Sequence, residues 1–203
     1  MAQHQHKHRG NKMKIFLMFF LLITSLNTYS NEIAHGSVWD NFLSNPNKNA
    51  FLKINPLVAN MTAQCNQVNL PNNSQLKQLL NLVQKGNSFA LRTGVLIFKC
   101  IGTGDQEDFF RSTGLFFEKE PKLFLMTIKN NAIDEQNLRY MVTMTPIDLV
   151  DDLDAQIAVI KHRIDLLSKI KKKSALNETT TAISASLENR LQDFEKIKAD
   201  QAK

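Results

Sequence analysis

The sequence predicts an all-α protein: an irregular helical bundle followed by a long antiparallel helical hairpin at the C-terminus. Three observations support this prediction. Residues that cap helices recur from Ser74 onward, apolar residues recur at intervals of three and four, and the C-terminal part carries a heptad ladder. The 203 residues divide into four parts: a leader and secretory signal (1–30), an irregular segment rich in Asn and Pro (31–73), a compact multi-helix region (74–147) and a heptad-patterned hairpin (148–203).

The segment from Met13 to Ser30 is typical of a secretory signal peptide. Lys14 gives a short basic start, residues 15–23 form an unbroken apolar run, and residues 24–30 are more polar and end in residues that suit signal peptidase. We predict cleavage after Ser30 and export to the periplasm or the extracellular space. A membrane-spanning helix needs about 18 apolar residues, so an uncleaved membrane anchor is the alternative.

Removal of the leader changes the charge of the chain. Four of the 25 basic residues and none of the 19 acidic residues precede the cleavage point, which leaves 21 basic residues against 19 acidic ones and a net charge of +2 instead of +6. Proteins that bind nucleic acid carry a basic patch on a folded face. The mature chain has no such surplus, so we do not expect nucleic acid as a partner.

The leader also contains three closely spaced histidines, His4, His6 and His8. Imidazole nitrogens bind transition metals, but a metal site needs ligands that are held in a fixed geometry. A removable leader does not supply that geometry. We therefore expect no metal and no other cofactor.

Cys65 and Cys100 are the two cysteines of the chain. In an exported protein an even number of cysteines predicts a disulfide. The bond would close a loop of about 35 residues and stabilise the fold by about 4 kcal/mol through the lost entropy of the unfolded chain. Two buried free thiols are the alternative.

The segment 31–73 is the least regular part of the predicted fold. The segment contains Pro46, Pro56 and Pro71, and proline interrupts regular structure. Its apolar residues indicate short helical turns that pack onto the rest of the protein: Val38, Trp39, Phe42, Leu43 and Phe51.

A helix capped by Ser74 opens the multi-helix region and ends at Gly86. Residues 88–101 are apolar on all sides, a pattern that fits either a buried helix or a buried strand. We favour a helix because the apolar residues keep the 3.6-residue period, at Leu91, Val95 and Phe98.

Three further helices begin at recognisable start signals. Asp105 is the predicted cap of one, Pro121 the first residue of the next, and Asp134 the cap of a helix over Glu135 to Thr145 that Pro146 ends. The acidic residues near Asp105 lack the alternation of a calcium loop, so capping is the preferred interpretation. Phenylalanines of this region form a stripe that we interpret as core rather than as a ligand site: Phe109, Phe110, Phe116, Phe117 and Phe124.

The C-terminal hairpin is predicted from its heptad ladder. The ladder residues are spaced three and four apart: Val150, Leu153, Ile157, Ile160, Ile164 and Leu167. A second amphipathic helix follows, with Ile183, Leu187, Leu191, Phe194 and Ile197 on one face. A short loop between the two helices favours an antiparallel hairpin. The alternative is a coiled coil between copies of the chain, which would make the protein a homo-oligomer through the ladder.

The first hairpin helix carries a second apolar stripe, formed by Leu149, Ala155, Val159, Leu166 and Ile170. A helix with two apolar stripes must be covered on more than one side. We predict that this stripe packs on residues 74–146, which would make the hairpin part of the same domain; oligomerisation is the alternative. The lysine run 171–173 at the end of the ladder is interpreted as solvated charge rather than as a lipid-binding patch.

No catalytic constellation emerges from the sequence. His35 and His162 are the two histidines of the mature chain, and they lie in distant segments without a matching nucleophile. We therefore predict that the protein is not an enzyme. The preferred hypothesis is an exported helical binding or accessory protein that acts through protein–protein contacts. The alternative is a membrane-anchored envelope scaffold that assembles through its C-terminal coiled coil.

Overall fold

The computed structural model of the chain describes residues 38–62, 65, 70–131, 133–170 and 176–203. Throughout this part the secondary structure is helical and contains no strand, which confirms the all-α prediction. The predicted signal, the leader histidines, His35 and the lysine run 171–173 lie outside the described residues. Within the described ranges, no helix is both long enough and apolar enough to span a membrane.

The helices follow one another with short connections. They are α1 (residues 38–44), α2 (Lys48–Thr62), α3 (Asn73–Gln84), α4 (Ser88–Ile97), α5 (Thr103–Lys119), α6 (Pro121–Asn130), α7 (Glu135–Thr143), α8 (Leu153–Ser168) and α9 (Asn177–Gln201). In the described part of the chain, 3-10 turns connect helices at Phe98–Cys100 after α4 and at Ile147–Leu149 before α8. Residues 88–97 are thus helical, as predicted, and not a strand.

The N-terminal segment contains more regular helix than the predicted short turns. Helix α2 is 15 residues long and continues through Pro56. Ile54 and Val58 are fully buried one turn apart, which explains why the helix forms. Pro56 removes the backbone donor for the carbonyl of Leu52, and Leu52 is 56% exposed, so the missing bond falls on the solvent-facing side of the helix.

The helix starts confirm some predicted caps and correct others. Pro121 begins α6, and the Asp134 carboxylate accepts the Asn137 N–H at 2.9 Å. The cap of α3 is Asn72 rather than Ser74, because Asn72 and Gln75 satisfy each other's backbone N–H groups in a capping box. Asp105 is not a cap either: α5 begins at Thr103, and Asp105 lies in its first turn, where the helix dipole favours a negative charge.

The core is rich in aromatic side chains. All five residues of the phenylalanine stripe are buried, so the interpretation of this stripe as core is confirmed. The rings of Phe98 and Phe109 stack with centroids 5.8 Å apart, and those of Phe117 and Phe124 meet edge to face at 5.3 Å. Gly94 permits this packing, because a Cβ atom there would lie 2.4 Å from the Phe109 ring.

The hairpin is antiparallel and belongs to the bundle. Helices α8 and α9 pack against each other, α8 also packs on α5, and α9 on α6 and α7. Ion pairs between Lys161 and Glu195 (3.0 Å) and between Asp154 and Lys198 link the two helices in this direction.

The heptad ladder is shorter than predicted. Helix α8 begins at Leu153, so Val150 lies before it and is 51% exposed. Ile157, Ile160 and Leu167 are buried, whereas Leu153 and Ile164 are half-buried. The second apolar stripe is also only half-buried: Leu149, Ala155, Val159, Leu166 and Ile170. Arg163 of α8 is fully buried and hydrogen-bonds to Glu118 on α5 and to carbonyls at the end of α7.

The two cysteines meet as predicted. The sulfur atoms of Cys65 and Cys100 lie at bonding distance, and their Cα atoms are 5.0 Å apart, within the normal range for disulfides. The pair joins the segment that follows α2 to the 3-10 turn that follows α4, and the loop between them contains α3 and α4.

Candidate binding cleft

A cleft of about 410 Å³ opens between α3, α5 and the 3-10 turn Ile147–Leu149. Its volume falls at the lower end of the range typical of ligand pockets, roughly 300–1,000 Å³. The residues that α3 contributes are spaced i, i+3, i+4 and i+7, so they share one face of the helix: Lys77, Leu80, Asn81 and Gln84. Helix α5 contributes Asp108, Arg111 and Leu115 from the facing side.

Hydrogen bonds tie the two helices together beneath the cleft. The Gln84 side chain donates to the Ser112 hydroxyl at 3.1 Å, and this hydroxyl donates to the backbone carbonyl of Asp108 at 2.7 Å. Ser112 is fully buried. The cleft therefore has a fixed floor between α3 and α5.

The segment after α7 forms the third wall of the cleft. Its residues Pro146, Ile147 and Asp148 line the cleft. Ile147 is 68% exposed, more than any other large apolar side chain in the described residues. The cleft thus combines an apolar wall with charged groups.

Four charged side chains line the cleft, the cations Lys77 and Arg111 and the carboxylates Asp108 and Asp148. The ion pairs found among the described residues all involve other side chains. The four charged groups are therefore available for contacts with a ligand. Their charges sum to zero, so the cleft does not create a field of one sign.

Arg111 is the most unusual of these residues. Its Nη1 donates to the carbonyl oxygen of Thr145 at 2.7 Å. Its Nε is buried and has no hydrogen-bond partner, and no other side-chain nitrogen or oxygen in the described residues is in that state. Its Nη2 makes no hydrogen bond within the described part of the chain either, but it is not buried. Buried N–H groups are nearly always paired, so this free edge of the guanidinium requires an explanation.

Arg163 shows the same arrangement with the edge occupied. Its Nη1 donates to the carbonyl oxygens of Val142 and Met144 at 2.8 and 2.9 Å, and its Nε and Nη2 donate to one carboxylate oxygen of Glu118 at 2.9 and 2.7 Å. Burial lowers the pKa of the Arg163 guanidinium, and the nearby Glu118 carboxylate opposes that effect. Arg163 thus binds carbonyls at the C-terminal end of α7, where helices leave acceptors unpaired, and Arg111 binds the carbonyl of Thr145 just beyond that end. Arg163 has a carboxylate on its other edge, whereas Arg111 has none.

Two other concave regions carry less information. One lies between α8 and the start of α9 and is lined mainly by Ser, Thr and apolar residues; the other lies between α1 and α2 and is lined largely by Asn. Both adjoin segments outside the described residues, 171–175 and the chain before residue 38. We base no function on either.

The sequence did not single out this cleft, because its residues come from three separate segments. Of the acidic residues near the start of α5, only Asp108 enters it. Across the described residues, no group of His, Cys, Asp and Glu side chains gathers in a way that could hold a metal ion. The one available signal for the buried arginine was periodic: Gln156, Ile160, Arg163 and Leu167 share one helical face with the ladder.

Comparisons with protein families, with curated proteins and with solved structures found no match to this chain. The chemistry of the cleft is therefore the basis for a functional proposal.

Proposed function

We propose that the protein is an exported helical binding or accessory protein that contacts a protein partner through the cleft between α3 and α5. The observation that carries this proposal is the free donor edge of Arg111 beside the exposed side chain of Ile147. A donor without a partner and an apolar residue without cover are both satisfied when another molecule enters the cleft.

Two features support export. The segment from Met13 to Ser30 has the composition of a signal peptide. The pairing of Cys65 with Cys100 at bonding distance fits an oxidising compartment. Export places the partner in the periplasm or outside the cell.

The packing of the hairpin favours this proposal over the envelope scaffold. The scaffold would assemble through the heptad ladder, but Ile157, Ile160 and Leu167 are already buried within one chain. A second copy could use them only if the hairpin first left the bundle, which would expose the residues they cover.

Photo-crosslinking in the native host tests the proposed function. A benzoylphenylalanine replaces Ile147 in the cleft of the full-length protein, and a matched control replaces Leu52 on α2, which is similarly exposed at 56% but lies outside the cleft. We expect a discrete protein adduct from position 147 only. No adduct, or the same adducts from both positions, would contradict a partner-binding cleft.

Mass spectrometry of the mature N-terminus separates the two hypotheses further. A chain that begins at or near Asn31 is expected for the exported binding protein. An intact segment from Lys14 to Leu26 in the membrane fraction would instead favour the anchored scaffold.

A further inference from the structure

We propose that the cleft recognises a carboxylate on a peptide segment of the partner, with Arg111 as the principal contact for that carboxylate. An apolar side chain of the same segment then packs on Leu80, Leu115 and Ile147. This inference rests on the proposed function, since it names the chemistry of the partner that enters the cleft.

The donor geometry of Arg111 points to a carboxylate. Nε and one Nη of a guanidinium form a planar edge that matches the two oxygens of a carboxylate. Nη1 of Arg111 is occupied by the Thr145 carbonyl, which leaves the Nε–Nη2 edge. Because Nε is buried and Nη2 is not, Nη2 is the donor of this edge that an entering carboxylate meets.

Arg163 provides a precedent within the same molecule. It uses one terminal nitrogen for carbonyls at the end of α7 and the Nε–Nη2 edge for the carboxylate of Glu118. Arg111 has the first half of this arrangement. A carboxylate from the partner would supply the second half.

The other charges of the cleft select against a polyanion. Asp108 and Asp148 line the same cleft as Arg111 and Lys77, so an anion with many charges would meet two carboxylates as well as two cations. A peptide can instead place a single carboxylate on Arg111 while the residues beside that carboxylate in the peptide carry no charge. This excludes a nucleic-acid backbone as the preferred ligand.

The apolar wall selects a peptide over a free small acid. Leu80, Leu115, Pro146 and Ile147 line the cleft beside the charges. A small carboxylate on Arg111 would leave this wall in contact with water, whereas an apolar side chain next to the carboxylate would cover it and stabilise the complex.

Selection from a random peptide library on the immobilised, oxidised protein tests the inference. We expect enriched peptides with Asp or Glu next to an apolar residue. In fluorescence anisotropy, Arg111→Gln is expected to weaken such a peptide about tenfold, as the loss of a charged hydrogen bond implies. The same loss is expected when the acidic residue of the peptide becomes its amide. Arg92→Gln, which removes an arginine outside the cleft, should leave the affinity unchanged.

A second variant guards against a folding defect at Arg111. Lys77 is exposed on α3, and Lys77→Gln should weaken the same peptide about threefold, the size of a surface charge contact. No enrichment, enrichment without acidic residues, equal binding by Arg111→Gln, or competition by free glutamate at the concentration of the peptide would each overturn the inference. The crosslink from position 147 is scored independently, so a cleft that binds a partner without a carboxylate remains distinguishable from a cleft that binds none.

Discussion

At the scale of single residues, Gly114 shows how a small residue makes room for a buried charge. A Cβ atom at this position would lie 2.6 Å from Nη2 and 2.9 Å from Cζ of Arg163. The guanidinium cannot move aside without breaking some of the four hydrogen bonds that hold it to Glu118, Val142 and Met144. The absence of a side chain at Gly114 is therefore a condition for the ion pair between the buried Arg163 and Glu118.

Gly114→Ala is expected to destabilise the protein by about 1–3 kcal/mol, the usual effect of excess volume in a packed core. Gly104→Ala in the same helix is the matched control, because a Cβ atom there would meet nothing within 4 Å. Alanine is the better helix former by up to about 1 kcal/mol, so the control should be neutral or slightly stabilising. Urea unfolding followed by circular dichroism measures both, and equal midpoints for the two variants would contradict this account.

The role of Arg163 illustrates what sequence reasoning could not reach. The spacing of Ile160, Arg163 and Leu167 places Arg163 on the inner face of α8. A charged residue between Lys161 and Asp165 is nevertheless most simply interpreted as solvated. Its partner Glu118 lies 45 residues earlier, and nothing in local spacing connects them. Burial of a charge depends on a tertiary partner, so periodicity alone could not predict it. The same limit applies to Arg111, whose carbonyl partner Thr145 follows 34 residues later.

At the scale of helices, capping residues and apolar periods predicted that a helix forms more reliably than they predicted where it begins and ends. The helix α3 was predicted, but its predicted cap Ser74 was wrong. Asn72 forms the capping box instead, because Gln75 stands at the required third position. Helix α2 was missed as a long helix because proline and asparagine obscured the i, i+4 pair of Ile54 and Val58. Several nearby residues can serve as a cap or end an apolar period, and tertiary contacts determine which of them marks the end of the helix.

The ladder of α8 yields a prediction that separates buried from exposed members. Ile160 is fully buried, whereas Val150 precedes the helix and is 51% exposed. Ile160→Asp should unfold the monomer, because an unpaired carboxylate in an apolar core costs several kcal/mol. Val150→Asp should change stability by less than about 0.5 kcal/mol, as is usual for surface substitutions.

Size-exclusion chromatography and circular dichroism distinguish this outcome from the scaffold hypothesis. If Ile160→Asp instead gave a well-folded monomer and abolished a dimer, the ladder would be an assembly surface. In that case the intramolecular packing of α8 on α9 would not describe the protein in solution.

At the scale of the whole molecule, contacts run without interruption from α1 to α9. Gln75 on α3 donates to the Asp40 carboxylate on α1 at 2.8 Å, and the Asn87 side chain donates to the carbonyl of Pro46 at 3.1 Å. Helix α3 packs on α5, α5 on α7, and α7 on α9. The predicted division at residue 148 therefore marks a change of pattern along the chain rather than a gap in the packing.

This continuity predicts that the protein unfolds as one cooperative unit. Trp39 is the single tryptophan and is buried in α1, so its fluorescence reports on the N-terminal end, whereas circular dichroism at 222 nm reports on all helices and draws much of its signal from the 25-residue α9. Urea curves from the two probes should coincide, since residues from α1 to α9 share one continuous hydrophobic core. Gly114→Ala should shift both curves equally, although it acts far along the chain from Trp39. A dichroism transition that precedes the fluorescence change would instead show that the hairpin separates from the bundle first, and the ladder would then be free to bind another chain.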